Sequence, residues 1–147
     1  MTSIFKGGCH CGQLRYTCQN EPLSQFFCHC LDCQKSTGSP VAAGFLVTKA
    51  ATVVEGERRN YTVLADSGKK MTRLFCPECG THVLEESEGL MGLWIIKAGS
   101  LDDASIFQPV RHYWTDSQQK WLKINDDLER VGTQPAFTDL GLDLPNS

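Results

Sequence analysis

Apolar and polar residues alternate along Leu14-Arg15-Tyr16-Thr17-Cys18, the two-residue period of a strand with one buried face. Pro40 to Val47 is apolar and includes Gly44, which suits a buried strand. Arg59 to Leu64 and Met71 to Phe75 flank Asp66-Ser67-Gly68, the pattern of two strands joined by a turn. His82 to Glu86 is expected to pair back as a hairpin. Leu90 to Ala98 is the most apolar run and the expected central strand. Val110 to Trp114 is a further strand candidate. Helix is scarce. Leu31 to Thr37 predicts one or two turns, ended by Gly38 and Pro40. Asp102 to Phe107 predicts a short turn capped by Asp102. Gly132, Pro135, Gly141 and Pro145 mark an irregular C-terminal tail. The pattern predicts a mainly β chain with short helical turns: one domain over residues 1–131, and a tail over residues 132–147.

Composition narrows the partners. A chain of 147 residues can bury a real core. Its net charge of −3 offers no basic surface for nucleic acid. It has no run of four Lys and Arg to meet an anionic membrane. No stretch is long and apolar enough to span a bilayer. Met1 to Gly8 lacks an apolar core of signal-peptide length, so the expected location is the cytoplasm. Disulfides are rare in that reducing compartment, and clustered thiols there read as metal ligands.

Seven of the eight cysteines fall into three clusters: Cys9-His10-Cys11, Cys28-His29-Cys30-Leu31-Asp32-Cys33, and Cys76-Pro77-Glu78-Cys79-Gly80. Thiolates held close together suit a tetrahedral soft-metal site. Seven sulfurs make one closed site of four and one site of three. In an extended backbone, residues i and i+2 share a side. That alternation turns His10 and His29 away from the chelating sulfurs, toward the outer face or the backbone. Cys76 and Cys79 form a C-x2-C knuckle, with Gly80 allowing the unusual dihedrals that follow it. Paired with Cys9 and Cys11, the knuckle would close a loop of 64 intervening residues, so its metal would contribute directly to folding. Spacing alone leaves Cys28 and Cys30 as alternative partners.

Cys28, Cys30 and Cys33 could all reach one ion, leaving the fourth position of the tetrahedron open. A closed site is usually structural, whereas an open one accepts water or substrate. Cys18 is the spare thiol and the alternative fourth ligand. It shares its strand face with Leu14 and Tyr16, which reads instead as core. Three thiolates make zinc a weak Lewis acid, ill suited to hydrolysis, but a fourth thiolate suits it. Coordination lowers a thiol's pKa and makes it a nucleophile at neutral pH. A small thiol could dock there and attack an aldehyde, forming an S-(hydroxyalkyl) adduct.

The segments Gly7-Gly8-Cys9-His10-Cys11-Gly12-Gln13-Leu14-Arg15-Tyr16, Cys28 through Gly38, and Phe75-Cys76-Pro77-Glu78-Cys79-Gly80-Thr81 resemble the glutathione-dependent formaldehyde-activating enzyme family, which also includes centromere protein V. Gly99-Ser100-Leu101-Asp102-Asp103 and Pro109 to Trp121 extend the match, which covers roughly residues 4 to 123. The resemblance implies a two-zinc β-tent fold with two Zn²⁺ per chain. It puts structural-zinc ligands at Cys9, Cys11, Cys76 and Cys79, and catalytic-zinc ligands at Cys28, Cys30 and Cys33. It also implies a carbon–sulfur lyase that joins glutathione to formaldehyde. Two places depart from the family pattern. Ala104 stands where proline is common, and Arg111-His112-Tyr113-Trp114 where aliphatic and aromatic residues are common.

Other side chains carry weaker signals. His112, Tyr113, Trp114 and Trp121 could line a pocket over the open site or pack as core. Arg15 could meet a glutathione carboxylate or lie on a solvated strand face. Lys35, Lys69, Lys70 and Arg73 are possible anion contacts. The alternative to an enzyme is a binding module in which both zincs only hold the fold and the surface meets a protein or small thiol.

Overall fold

The computed structural model describes residues 4–133. The predicted tail lies outside the described residues from position 134 onward. In chain order the elements are β1 (Phe5–Gly8), β2 (Arg15–Cys18), β3 (Ser24–Cys28), α1 (Leu31–Thr37), β4 (Ala42–Thr48) and β5 (Thr52–Glu55). They continue with β6 (Arg59–Leu64), β7 (Lys70–Phe75), β8 (His82–Ser87), β9 (Leu93–Lys97), β10 (Arg111–Tyr113) and β11 (Glu129–Val131). Short 3₁₀ turns join several of them. The chain is mainly β, as its alternation predicts. No helix among the described residues is long and apolar enough to cross a membrane.

The strands form two sheets. A small one has the order β1-β2-β5, and a large one the order β11-β10-β3-β4-β9-β8-β7-β6. All pairings are antiparallel except those of β10 with β3 and with β11, which are parallel. The apolar run around residue 95 is indeed central, as β9 lies between β4 and β8. It starts at Leu93 because Leu90 to Gly92 turn first, with the Leu93 N–H donating to the Leu90 carbonyl. The β6–β7 hairpin forms around Asp66-Ser67-Gly68, and β8 pairs back on β7.

Residues of both sheets share one core. Phe5, Leu14 and Tyr16 come from the small sheet and its neighbouring turn, and Phe45, Val47, Leu84 and Ile96 from the large one. Strand alternation sends Leu46, Leu93 and Ile95 to the opposite face, where Phe26, Met71 and Leu90 pack against them. Gly7 lets the sheets close. A Cβ there would stand 2.3 Å from both the Tyr16 hydroxyl and the Ser100 carbonyl oxygen.

Helix α1 spans the predicted residues and ends at Gly38, which is left-handed at φ 68°. The turn after Leu101 differs from expectation. It covers Ala104–Ile106, and Asp103 caps it by accepting from the Ser105 N–H at 3.1 Å. Asp102 is drawn to β1 by its own N–H, which donates to the Lys6 carbonyl at 3.0 Å. Its carboxylate pairs with the Arg15 guanidinium through both oxygens. Arg15 is therefore engaged by a carboxylate of the chain itself, while its side chain stays partly exposed.

Candidate metal centres

Cys9 directly follows β1, and Cys11 lies in a turn closed by the Gly12 N–H on the Cys9 carbonyl at 3.2 Å. The extended geometry expected for this C-x-C is thus replaced by a turn. Cys76 directly follows β7. Its knuckle closes when the Gly80 N–H donates to the Cys76 carbonyl at 2.9 Å, with Gly80 at φ +75°. The sulfurs of Cys9, Cys11, Cys76 and Cys79 all lie within 4.8 Å of one another. The third cluster meets Cys9 and Cys11, not Cys28 and Cys30. The Cys9–Cys11 and Cys11–Cys76 sulfur separations are 3.6 and 3.7 Å. A tetrahedral ion with metal–sulfur bonds of about 2.3 Å requires sulfur separations of about 3.8 Å. The donor set therefore fits zinc. The Leu14 N–H donates to Cys9 Sγ at 3.2 Å. The Thr81 hydroxyl, then the N–H groups of Cys11 and Thr81, hold the Cys79 thiol down to about 5. His10 is exposed, and its N–H donates to Thr81 Oγ1 at 3.1 Å.

The second cluster is local. Cys28 ends β3, Cys30 caps α1, and Cys33 lies in the first helical turn. Their three sulfurs also lie within 4.8 Å of one another and could hold one ion. The Cys33 N–H donates to Cys30 Sγ at 3.3 Å. Contacts with the Cys28 and Cys33 thiols bring the Cys30 thiol down to about 4, and contacts with Cys30 and Cys33 push Cys28 up. Cys18 belongs to neither group. It is buried in the main core, where desolvation raises its thiol pKa and the Thr52 hydroxyl donates to its sulfur at 3.6 Å.

His29 corrects the expectation of an outer face or a backbone partner. It is fully buried and reaches a side chain: its Nε2 lies 2.9 Å from His112 Nδ1, and His112 Nε2 lies 2.9 Å from Asp126 Oδ2. A carboxylate only accepts, so His112 Nε2 donates to it, and with neutral rings His29 Nε2 donates to His112. Burial, then His112, pushes His29 down to about 4. Gln34 fixes the same corner, donating to the His29 carbonyl at 2.7 Å and the Ser117 carbonyl at 3.1 Å.

A cavity of about 120 Å³ opens against the three-sulfur cluster. Cys28, Cys30, Cys33 and Lys97 line it together with Phe26, Leu46, Met71 and Ile95. The β6–β7 turn contributes Ala65, Asp66, Ser67 and Lys69 to the lining, and the Asp66 N–H donates to Asp32 at 3.2 Å. Tyr113 and Trp114 also line it, but His112 faces His29 and Trp121 is 69% exposed. Of the candidate cations, Lys69 is at the cavity, Lys35 and Lys70 are exposed elsewhere, and Arg73 is buried beside Glu85.

The cavity also has a charged floor, lined by Glu85 and Lys97 and backed by Arg73 through Glu85, that strand patterning did not flag. Glu85 forms an ion pair with Lys97 and lies 3.6 Å from Arg73 Nε. All three are more than nine-tenths buried. Burial works against the Lys97 charge, but Glu85 and then Cys33 outweigh it and raise its pKa. Two cations and one carboxylate sum to +1, whereas three thiolates and a divalent ion sum to −1. The floor and a loaded trithiolate centre would neutralise each other. The available signal was Lys97 sharing a strand face with Leu93 and Ile95, inside the most apolar run of the chain.

These features define a class: a mainly β protein with two cysteine clusters that could each hold a metal ion, one of four sulfurs and one of three. Residues 4–117 match the family model described as glutathione-dependent formaldehyde-activating enzyme, and the chain belongs to that family. Among solved structures it is similar to a Rhodobacter sphaeroides protein, at 19% identity and a TM-score of 0.53, covering 66% of this chain and 87% of the other. At that identity the likeness concerns the fold alone. No curated protein matches the chain.

Proposed function

We propose that this protein is a zinc-dependent, carbon–sulfur lyase-type enzyme that joins a glutathione-like thiol to a small aldehyde, giving an S-(hydroxyalkyl) adduct. In this reading Cys9, Cys11, Cys76 and Cys79 hold a structural zinc, while Cys28, Cys30 and Cys33 hold a catalytic one. Residues 1–131 act as one zinc domain in a reducing cytoplasm. The observation that carries the reading is the convergence of three sulfurs, with no fourth cysteine, at the wall of an apolar cavity.

A zinc ion held by Cys28, Cys30 and Cys33 would lower the pKa of a thiol that binds it. The residues of the chain supply the setting. Phe26, Leu46 and Ile95 exclude water beside the sulfurs. Lys97 brings N–H donors to the same cavity and feels the charge of Cys33 and Cys28, which suits a carbonyl oxygen that gains negative charge as sulfur attacks. The carbon–sulfur bond forms, the carbonyl π bond breaks, and the thiol proton ends on the new hydroxyl. No oxidant or reductant is needed.

Metal counting on Cys30→Ala, together with calorimetric binding of glutathione, tests the proposal. The parent is expected to carry two zinc ions and the variant one, with the fold retained and glutathione binding lost. Equal glutathione binding by parent and variant would overturn it. If the adduct forms no faster with protein than in buffer, the chain is a binding module instead.

A further inference from the structure

The cavity, which must also take the ion and the thiol sulfur at its three cysteines, is larger than these and a one-carbon aldehyde require. Roughly 10–15 Å³ of such space holds one water, and formaldehyde has only two heavy atoms. The volume here is about 120 Å³, close to the roughly 150 Å³ of an apolar cavity that takes up benzene. Its walls are Phe26, Leu46, Met71, Leu90, Ile95 and Tyr113. They lie on the sheet face opposite the main core, where Leu46 and Ile95 belong to a separate apolar cluster.

Gly44 sits among these residues, in the interior of β4, paired with Phe26 on one side and Lys97 on the other. A glycine inside a strand weakens it and marks a bulge or a close approach of a ligand or backbone. Gly44 is not among the glycines of positive φ. The nearest atoms a Cβ there would meet are the Ile96 carbonyl oxygen at 3.4 Å and the Phe26 ring at 3.5 Å, ordinary contact distances. The packing of the protein does not demand a glycine, yet its absent side chain keeps the cavity open. Ala42, two residues earlier on the same face, is also small.

We infer that the aldehyde carries an apolar chain or ring of about four to six carbons, lodged over Gly44, with its carbonyl toward Lys97 and the three cysteines. This rests on the thiol–aldehyde reading above and names the substrate class for it. Each methylene buried should strengthen binding about fourfold, a gain that a one-carbon substrate forgoes.

The zinc-loaded protein is assayed with glutathione and either acetaldehyde or hexanal, two aldehydes of similar carbonyl reactivity. Calorimetry with 1-hexanol, which cannot react, measures occupancy of the cavity separately. The expected results are a kcat/KM at least tenfold higher for hexanal and one hexanol bound per chain. In Gly44→Val, whose branched side chain suits a strand, circular dichroism should match the parent. The hexanal-to-acetaldehyde ratio should fall to about one and hexanol binding should be lost. Turnover of both aldehydes at equal efficiency, without hexanol binding, overturns this inference and leaves the function standing. Hexanol binding without turnover of either aldehyde overturns the function, and with it the substrate assignment.

Discussion

The two cysteine clusters use similar chemistry for opposite structural ends. The four-sulfur cluster joins a turn after β1, in the small sheet, to a knuckle after β7, in the large one. The three-sulfur cluster draws on six consecutive positions at the single corner between β3 and α1. Closing a loop of 64 intervening residues removes much unfolded-state freedom, and closing one of a few residues removes little. On the proposed reading, loop length would separate a centre that makes the fold from one that the fold presents to a cavity.

The sharpest way to break this comparison is to remove one sulfur from each side. A structural zinc of this kind contributes about 10–16 kcal/mol in small zinc-folded peptides, and a whole domain is stable by only about 5–15 kcal/mol. Cys76→Ser is expected to abolish cooperative thermal unfolding and the near-ultraviolet dichroism of packed aromatics. Cys33→Ser is expected to keep both while losing one metal ion per chain. If the two variants melt alike, the division between structural and presented centres is wrong.

A smaller effect tests the charged floor beside the three-sulfur cluster. Glu85 is 3% exposed and stands between Lys97 and Arg73. Glu85→Gln leaves two buried cations without their carboxylate, a change that costs about 3–5 kcal/mol when a buried pair is broken. Urea unfolding is expected to show a loss of that size with the metal bound at the four-sulfur cluster retained. Loss of that metal as well would mean the two regions are not separable.

The contrast between regions also governs what the sequence could reveal. Strands β2, β4 and β9 were legible because their residues alternate or run apolar over four or more positions, and β6, β7 and β8 because turn residues separate them. β3 was not, because Phe26 and Phe27 are adjacent apolar residues on opposite faces: Phe26 lines the cavity while Phe27 stacks on His112. β1 was hidden by Gly7 and Gly8, whose role is close approach rather than side-chain burial. The seven clustered cysteines were legible by spacing. Which pairs meet was not, because partnership across 64 residues depends on topology. The partners of the second cluster were hidden for the same reason. His112 and Asp126 reach His29 only because β10 runs parallel beside β3. A helix cap at Asp102 was misread because Asp103 offers the same chemistry one position later.

The smallest test uses acid, and each cluster has its own reporter. His82 begins β8 just after the Cys76–Cys79 knuckle, and His29 lies between Cys28 and Cys30. Burial holds both imidazoles near 4, below the ordinary value of about 6.5. The folded state therefore favours the neutral ring. The stability this confers is complete above pH 6.5 and is lost as pH falls from there toward 4. One such histidine gives a slope of at most about 1.4 kcal/mol per pH unit. His82→Gln should flatten the acid limb by up to that amount in denaturant unfolding at pH 7.0 and 5.5, leaving the His29 share in place. An unchanged pH dependence would mean that His82 is protonated in the folded protein at pH 5.5. Its buried Nε2, which has no hydrogen-bond partner, would then have to find a carboxylate, and Glu85 is the nearby charge that favours protonation. Such a link would couple the knuckle to the floor of the cavity and end the separation between the two centres.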